Sequence, residues 1–403
     1  MKKNNSVPPS TLSLLSGWLL LLGALTGLAP LSIDMYLPGF PAIEKSLLAH
    51  AGSAELTLAS YFVGLALGQL FYGPLSDRFG RRLPLMVGLV IYIIASIGCA
   101  FTGSIPELII WRFLQALGGC AGMVITLAII RDRCSANDAA RALSMLMLVM
   151  GLAPILAPLV GGWIVTVFDW RALFITLAIA GSVGLVAVYF HLEETHDVRN
   201  EPPLVFTRIL RDYGRLLIDR SFIGYTLSGG FARAGMFAYI AGSPFVFIEY
   251  YQIPAQHYGW IFGANAAGLI LFSQINAWRL KKHDATVLLS RALWLPGGIG
   301  IALLALSLTG HITLPLLLTG IFCFVASIGY IGPNSSAATL ATHGQQAGTA
   351  SALMGSLQFC LATLAGGLVN LLHDGSTFPM AMVMAGCGIG AWLSHRLIIT
   401  TLR

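Results

Sequence analysis

Three charged side chains stand inside otherwise apolar runs of this 403-residue chain: Asp34, Arg112 and Arg233. A charge at the centre of a membrane helix costs about 2.5–3.5 kcal/mol on insertion scales, so each needs a reason to be there. A carboxylate in such a place can take up and release a proton, because burial and a nearby guanidinium pull its proton affinity in opposite directions. Arginine does not usefully release its proton, which makes Asp34 the candidate proton carrier and Arg112 its tuning partner. Asp34 closes the first apolar run and Arg112 opens the fourth, so with alternating spans the two share a depth near the outer face. They form either a fixed ion pair that holds two helices together or a site whose protonation changes during work. Arg233, in "GGFARAGMF", is either a counter-charge in a cavity or a residue that snorkels towards a surface.

The elements that position these charges are membrane helices. The chain is 56% hydrophobic and only 10% charged, against roughly 25% charged in soluble domains. A span takes about 20 mostly apolar residues. Twelve candidates follow, near 13–36, 55–75, 83–101, 107–130, 142–165, 171–190, 221–248, 257–278, 287–308, 313–333, 348–370 and 378–398. The first is too long for a signal-peptide core and lacks a convincing cleavage site, so it is expected to be retained. Lys2, Lys3, Arg78, Arg81, Arg82, Arg131, Arg133, Arg141, Arg279, Lys281 and Lys282 would all gather on one side. That bias places both termini in the cytoplasm, so the net charge of +6 reports topology and not nucleic-acid binding. The polar stretch 191–220 divides the spans into bundles at 1–190 and 221–403, and its helical basic residues suggest an interfacial linker on anionic lipid. The expected fold is an all-α integral membrane protein of two six-helix bundles. Gly64 and Gly68, one turn apart, are a small-residue pair for close helix crossing.

Cys99, Cys120, Cys134, Cys323, Cys360 and Cys387 are scattered without a C-x-x-C, which indicates neither a disulfide framework nor a metal site. The nine histidines fall in connections or near span ends, with no H-E-x-x-H and no P-loop. A membrane-embedded enzyme or receptor is therefore the least favoured class.

Several motifs narrow the class. "GPLSDRFGRR", Gly73 to Arg82, resembles the signature loop of the major facilitator superfamily. That resemblance implies a cytoplasmic charge latch of Gly73, Asp77, Arg78, Gly80 and Arg81, with Asp132 as the partner of Arg81. "WRFLQALGGCAG", Trp111 to Gly122, is similar to the superfamily's fourth-span element through Arg112 and Gln115, with Ala116 where glycine is usual. "GLAPILAPLVGGW", Gly151 to Trp163, looks like the antiporter motif through Pro158, Gly161 and Gly162, with Ala157 replacing a glycine. "SIDMYLP", "GSPFVFIE", "PNSSAATL" and "AGTASALMGSLQF" resemble the Bcr/CflA family of bacterial drug:proton antiporters. The resemblance implies an inner-membrane exporter of small amphipathic drugs, bicyclomycin or phenicol-like, energised by the proton gradient with no cofactor or metal. It is expected to work as a monomer among membrane lipids and to bind no nucleic acid. Its cavity candidates by position are Tyr36, Gln115, Arg233, Tyr239, Phe245, Asn265, Asn334 and Gln358. The alternatives left open are a physiological exporter of an amino acid or small peptide, or a proton symporter.

Overall fold

The computed structural model describes residues 17–50, 52–134, 136–196, 206–341, 343 and 346–399. Lys2, Lys3, Arg199, residues 13–16 of the expected first span and the middle of the linker lie outside the described residues, as does the side chain of Arg141. The chain is all-α, with no strand among the described residues.

The first half gives α1 Gly17–Asp34, short α2 Phe40–Ser46, α3 Ser53–Phe79, α4 Arg82–Phe101, α5 Ile105–Arg133, α6 Ala136–Val167 and α7 Arg171–His191. The linker contributes α8 Phe206–Ile218. After it come α9 Arg220–Pro244, α10 Ala255–Arg279, α11 Ala285–Ala292, α12 Trp294–Leu308, α13 Leu314–Ala341, α14 Ala347–Leu371 and α15 Phe378–Ser394. The expected span at 287–308 is thus two helices meeting at Leu293. Among the described residues, eleven helical stretches are long and apolar enough to cross a bilayer. The twelfth expected span is α10, which is 25 residues long. Gln256, His257, Asn265, Gln274 and Asn276 make α10 more polar than its neighbours.

Local chemistry sets several helix ends. Ser104 caps α5 by accepting from Glu107 N, while the Glu107 carboxylate reaches back to Gly103 N (3.0 Å) and Thr102 Oγ1 (3.0 Å). This is the reciprocal S-x-x-E arrangement that satisfies orphan donors of a first turn, and a proline in that turn costs no hydrogen bond. Asp219 caps α9 in the same manner through Phe222 N (2.9 Å).

Within the first half, α3 and α4 pack on α5, α7 packs on α4, and α1 lies across α5, α6 and α7. In the second half α9 contacts α13, α14 and α15, while α10 and α12 pack on α13. The most extensive pairings between the halves are α3 with α14 and α6 with α10. The linker helix does not lie free at the surface: Tyr213 and Leu216 of α8 pack with Phe222, Ala350, Leu353 and Met354. The Tyr213 hydroxyl also donates to Leu70 O (3.1 Å).

Small residues let these helices touch backbone to backbone. A Cβ on Gly64 would stand 2.5 Å from Phe113 O, and one on Gly68 2.6 Å from Cys120 Cβ, both on α5. Gly367, by contrast, faces open space. Gly64→Val should therefore destabilise the fold by about 1–3 kcal/mol through overpacking, whereas Gly367→Ala should be neutral. Thermal unfolding in detergent reads both, and an unshifted midpoint for Gly64→Val would overturn the close-crossing account.

Candidate functional site

Arg112 is fully buried and organises the outer part of the first half. Its Nη1 donates to Gln115 Oε1 one turn along α5 (2.6 Å), and its Nη2 donates to Ser32 O on α1 (3.0 Å). Gln115 Nε2 passes the network to Ser96 Oγ on α4 (2.7 Å). Ser32 Oγ meets the Tyr92 hydroxyl (2.7 Å). Aromatic faces complete the enclosure, with the guanidinium carbon 4.2 Å from the Tyr61 ring centre and 4.5 Å from that of Tyr36. Such cation–π contacts strengthen to about 2 kcal/mol or more when water is excluded.

The expected ion pair between Asp34 and Arg112 is not made. Helix geometry supplies the reason. Ser32 and Tyr36, four residues apart, share the face that meets Arg112, whereas Asp34 lies two residues from each, about 200° around the helix. It lies instead within electrostatic range of the phenols of Tyr239 and Tyr258 in the second half. Asp34 is 5% exposed and has no hydrogen bond or ion pair among the described residues. On the facing surface Asn265 Nδ2 donates to the Tyr239 hydroxyl (2.9 Å), and the Tyr258 hydroxyl meets Ser243 Oγ (2.6 Å). The antiporter-motif glycines lie at this junction. A Cβ on Gly161 would fall 2.1 Å from Met35 O, the residue after Asp34, and one on Gly162 2.5 Å from Ala255 O at the start of α10.

At the cytoplasmic ends of α3 and α5 lies a second charge cluster. Arg81 bridges two carboxylates, with Nη1 on Asp77 Oδ1 (2.6 Å) and Nε on Asp132 Oδ2 (2.7 Å). Its Nη1 also donates to Ser76 Oγ (2.9 Å). Glu194, just beyond α7, accepts from the backbone N–H groups of Arg81 (2.8 Å) and Arg82 (3.1 Å). Gly80 is required there: its φ is +85°, and a Cβ would stand 2.4 Å from Glu194 Oε2.

A profile described as Major Facilitator Superfamily matches residues 22–368. The chain belongs to the major facilitator superfamily. It is 35% identical to an uncharacterised MFS-type transporter, YdgK, of Bacillus subtilis over 367 residues, covering 90% of each chain. A bicyclomycin resistance protein homologue of Haemophilus influenzae is 32% identical over 378 residues, 94% of this chain and 95% of that one. The multidrug resistance protein MdtL of Salmonella typhimurium is 30% identical over 376 residues, 91% of each. Among solved structures, a bacterial homologue of the lysosomal transporter Spinster superposes with a TM-score of 0.70 at 15% identity, covering 95% of this chain and 97% of that one. A D-xylose–proton symporter gives 0.69 at 16%, covering 94% and 98%. At those identities the structures speak for the fold alone. The chain is accordingly a multi-pass transporter of the bacterial inner membrane, in a superfamily of transporters rather than enzymes.

Within this superfamily fold, the cytoplasmic charge cluster keeps Asp77, Gly80, Arg81 and Asp132 together and leaves two members of the expected latch aside. Arg78 makes no ion pair among the described residues and lies 6.0 Å from the Phe79 ring centre. One residue on from Asp77, it projects about 100° around α3. Gly73 is well inside α3, and a Cβ there would meet nothing within 4 Å, so neither crowding nor backbone conformation demands glycine. The expected cavity residues separate into groups. Tyr36 and Gln115 are fully buried on Arg112, and Tyr36 also bonds Thr57 Oγ1 (2.7 Å), which leaves neither a face for substrate. Asn334 is fully buried and pairs with Asn276 (2.8 Å). Phe245 meets the His373 ring edge-on at 4.4 Å near the outer end. Tyr239, within electrostatic range of Asp34, accepts from Asn265, while Arg233 Nη1 donates to Gln358 Oε1 (2.9 Å). Sequence reasoning missed Glu194, Ser76, Tyr61 and Tyr258. Only the i, i+4 spacing of Ser76 and Gly80 hints at any of them.

Burial alone would push the Glu194 carboxyl up, but the N–H groups of Arg81, Arg82, His196 and Thr195 outweigh it and hold the group below its ordinary value. A carboxyl lowered in the folded state stabilises above its unfolded value, about 4.3, and loses that contribution as pH falls through the folded one. Stability should thus decline on acidification below about pH 4.3, and Glu194→Gln should flatten that part of the curve. Parallel acid profiles of thermal unfolding for both proteins would refute the assignment.

Proposed function

We propose that the chain exports small amphipathic, drug-like molecules in exchange for protons, with bicyclomycin- and phenicol-type compounds as the substrate class. The observation that carries this reading is Asp34: a buried carboxylate with no ion-pair partner among the described residues, within electrostatic range of Tyr239 in the other half. A charge left so is costly, and the cost changes whenever the halves part and water reaches it. In an outward-open state a proton from the periplasm neutralises Asp34 and lets α1 close against α9 and α10. In an inward-open state hydration favours release to the cytoplasm. A substrate seated at the same junction competes with the proton, and a coupling of about 1–3 kcal/mol separates the two loaded states sufficiently. The proton gradient is the energy source and no cofactor takes part. Alternating access would move the bundle 1–190 against 221–403, with 191–220 as their tether, and the relatives' drug-resistance names support export over uptake.

The test uses everted vesicles from cells making the protein. Adding a transported phenicol should release an imposed proton gradient, and Asp34→Asn should abolish that release while the protein still inserts. Normal proton exchange by Asp34→Asn sinks the role given to Asp34. The latch makes a separate expectation: Asp77→Asn removes one of the two carboxylates on Arg81, so it should slow turnover more than it weakens ligand binding. Turnover equal to wild type would count against a gating role for that cluster.

A further inference from the structure

Arg233 is a cation that proton coupling leaves unused. It sits about halfway along α9, partly exposed, where Gly332 of α13 leaves room for the guanidinium: a Cβ there would stand 3.1 Å from Nη2. Its one hydrogen-bond partner among the described residues is a neutral acceptor, Gln358 Oε1 on α14 (2.9 Å). No carboxylate among the described residues pairs with it or acts on it electrostatically. A guanidinium carries five N–H donors in a planar fork, so most of them remain to be met from the space it faces. One turn further along α9, buried Phe237 packs on buried Phe62 of α3 (4.6 Å) and on half-buried Phe359 of α14 (6.1 Å), so Phe359 is the ring of the three with a face left for a ligand. Phe359 directly follows Gln358.

We infer that Arg233 and Gln358 form a subsite for the carboxylate of an aromatic substrate, whose ring lies against Phe359. The inference rests on the exporter reading above and names the chemistry of its substrate. A carboxylate fits best, because the guanidinium fork binds it through two parallel N–H bonds and the Gln358 amide N–H₂ offers a third donor. A fixed positive charge at this depth disfavours a substrate cation at the same place, which assigns the recognised group a sign.

The pair dansylglycine and dansylglycinamide shares one aromatic body and differs in a carboxylate against a neutral amide. The full chain, purified in detergent, should bind dansylglycine about tenfold or more tightly than the amide by fluorescence titration. Arg233→Gln should erase that preference, weakening dansylglycine far more than the amide while thermal unfolding stays unchanged, whereas Arg233→Lys should keep most of it. Equal affinities in the wild-type chain, binding of neither probe, or an Arg233→Gln protein that weakens both alike would overturn the subsite. Proton release driven by a neutral phenicol separates the two readings. Its survival in Asp34→Asn defeats the coupling role and leaves the subsite standing, while equal affinities for the two probes in the wild-type chain, with intact Asp34-dependent release, defeat the subsite alone.

Discussion

A guanidinium buried away from any carboxylate must be held by whatever acceptors and π-faces its neighbours provide, and Arg112 imposes that demand on five helices. Ser32 O of α1 and Gln115 of α5 accept from it, Ser96 of α4 anchors Gln115, and Tyr61 of α3 and Phe174 of α7 present their rings. Even so, Arg112 Nε is buried without a partner. Much of the cost of burying the charge is met by neutral groups in fixed orientation, so the register of α1 cannot slip by one residue without removing Ser32 O and Tyr36 together. The direction of Asp34 is a consequence. With residues 32 and 36 committed inward, residue 34 must face away from Arg112, and what lies on that side is the second half of the chain.

The antiporter-motif glycines extend the same constraint. Gly161 brings the α6 backbone against Met35 O, within the first half, while Gly162 meets Ala255 O of α10, in the second. Two adjacent residues therefore serve different contacts, one that secures the chain beside Asp34 and one between bundles that alternate access would have to break. Alanine at either position would push a methyl group into a carbonyl oxygen, a clash that backbone movement alone can relieve.

The legible part of this protein is what repeats or recurs locally. Apolar runs of about 20 residues marked the spans, and the crowded charges of "GPLSDRFGRR" marked a cluster that Arg81, Asp77 and Asp132 do form. The span at 257–278 was also visible, although Asn265 and Asn276 dilute its apolar character. Depth along a helix could be read from sequence, but azimuth could not. Asp34 and Arg112 share a level, and equal depth suggested a pair. The 200° between residues 32 and 34 matters only once Ser32 is known to meet Arg112. Glu194 was invisible for a different reason: its partners are backbone N–H groups, which carry no sequence signature.

The outer and cytoplasmic sites are mechanically related through α3 and α5. Tyr61 and Asp77 are on α3, Arg112 and Asp132 on α5, and the twenty positions from Arg112 to Asp132 correspond to about 30 Å of helix. Gly64 and Gly68 press these two helices together at backbone distance, which leaves little freedom for one to slide on the other. A change at Arg112 that tilts α3 or α5 must consequently move Asp77 or Asp132 relative to Arg81, and the reverse holds as well. The cytoplasmic cluster also holds Glu194 through the backbone of Arg81 and Arg82, so α7 moves with them. Such a body has two ends that carry charge and a middle that carries small residues. It can transmit a movement at Arg112 to the opposite face through the two packed helices alone.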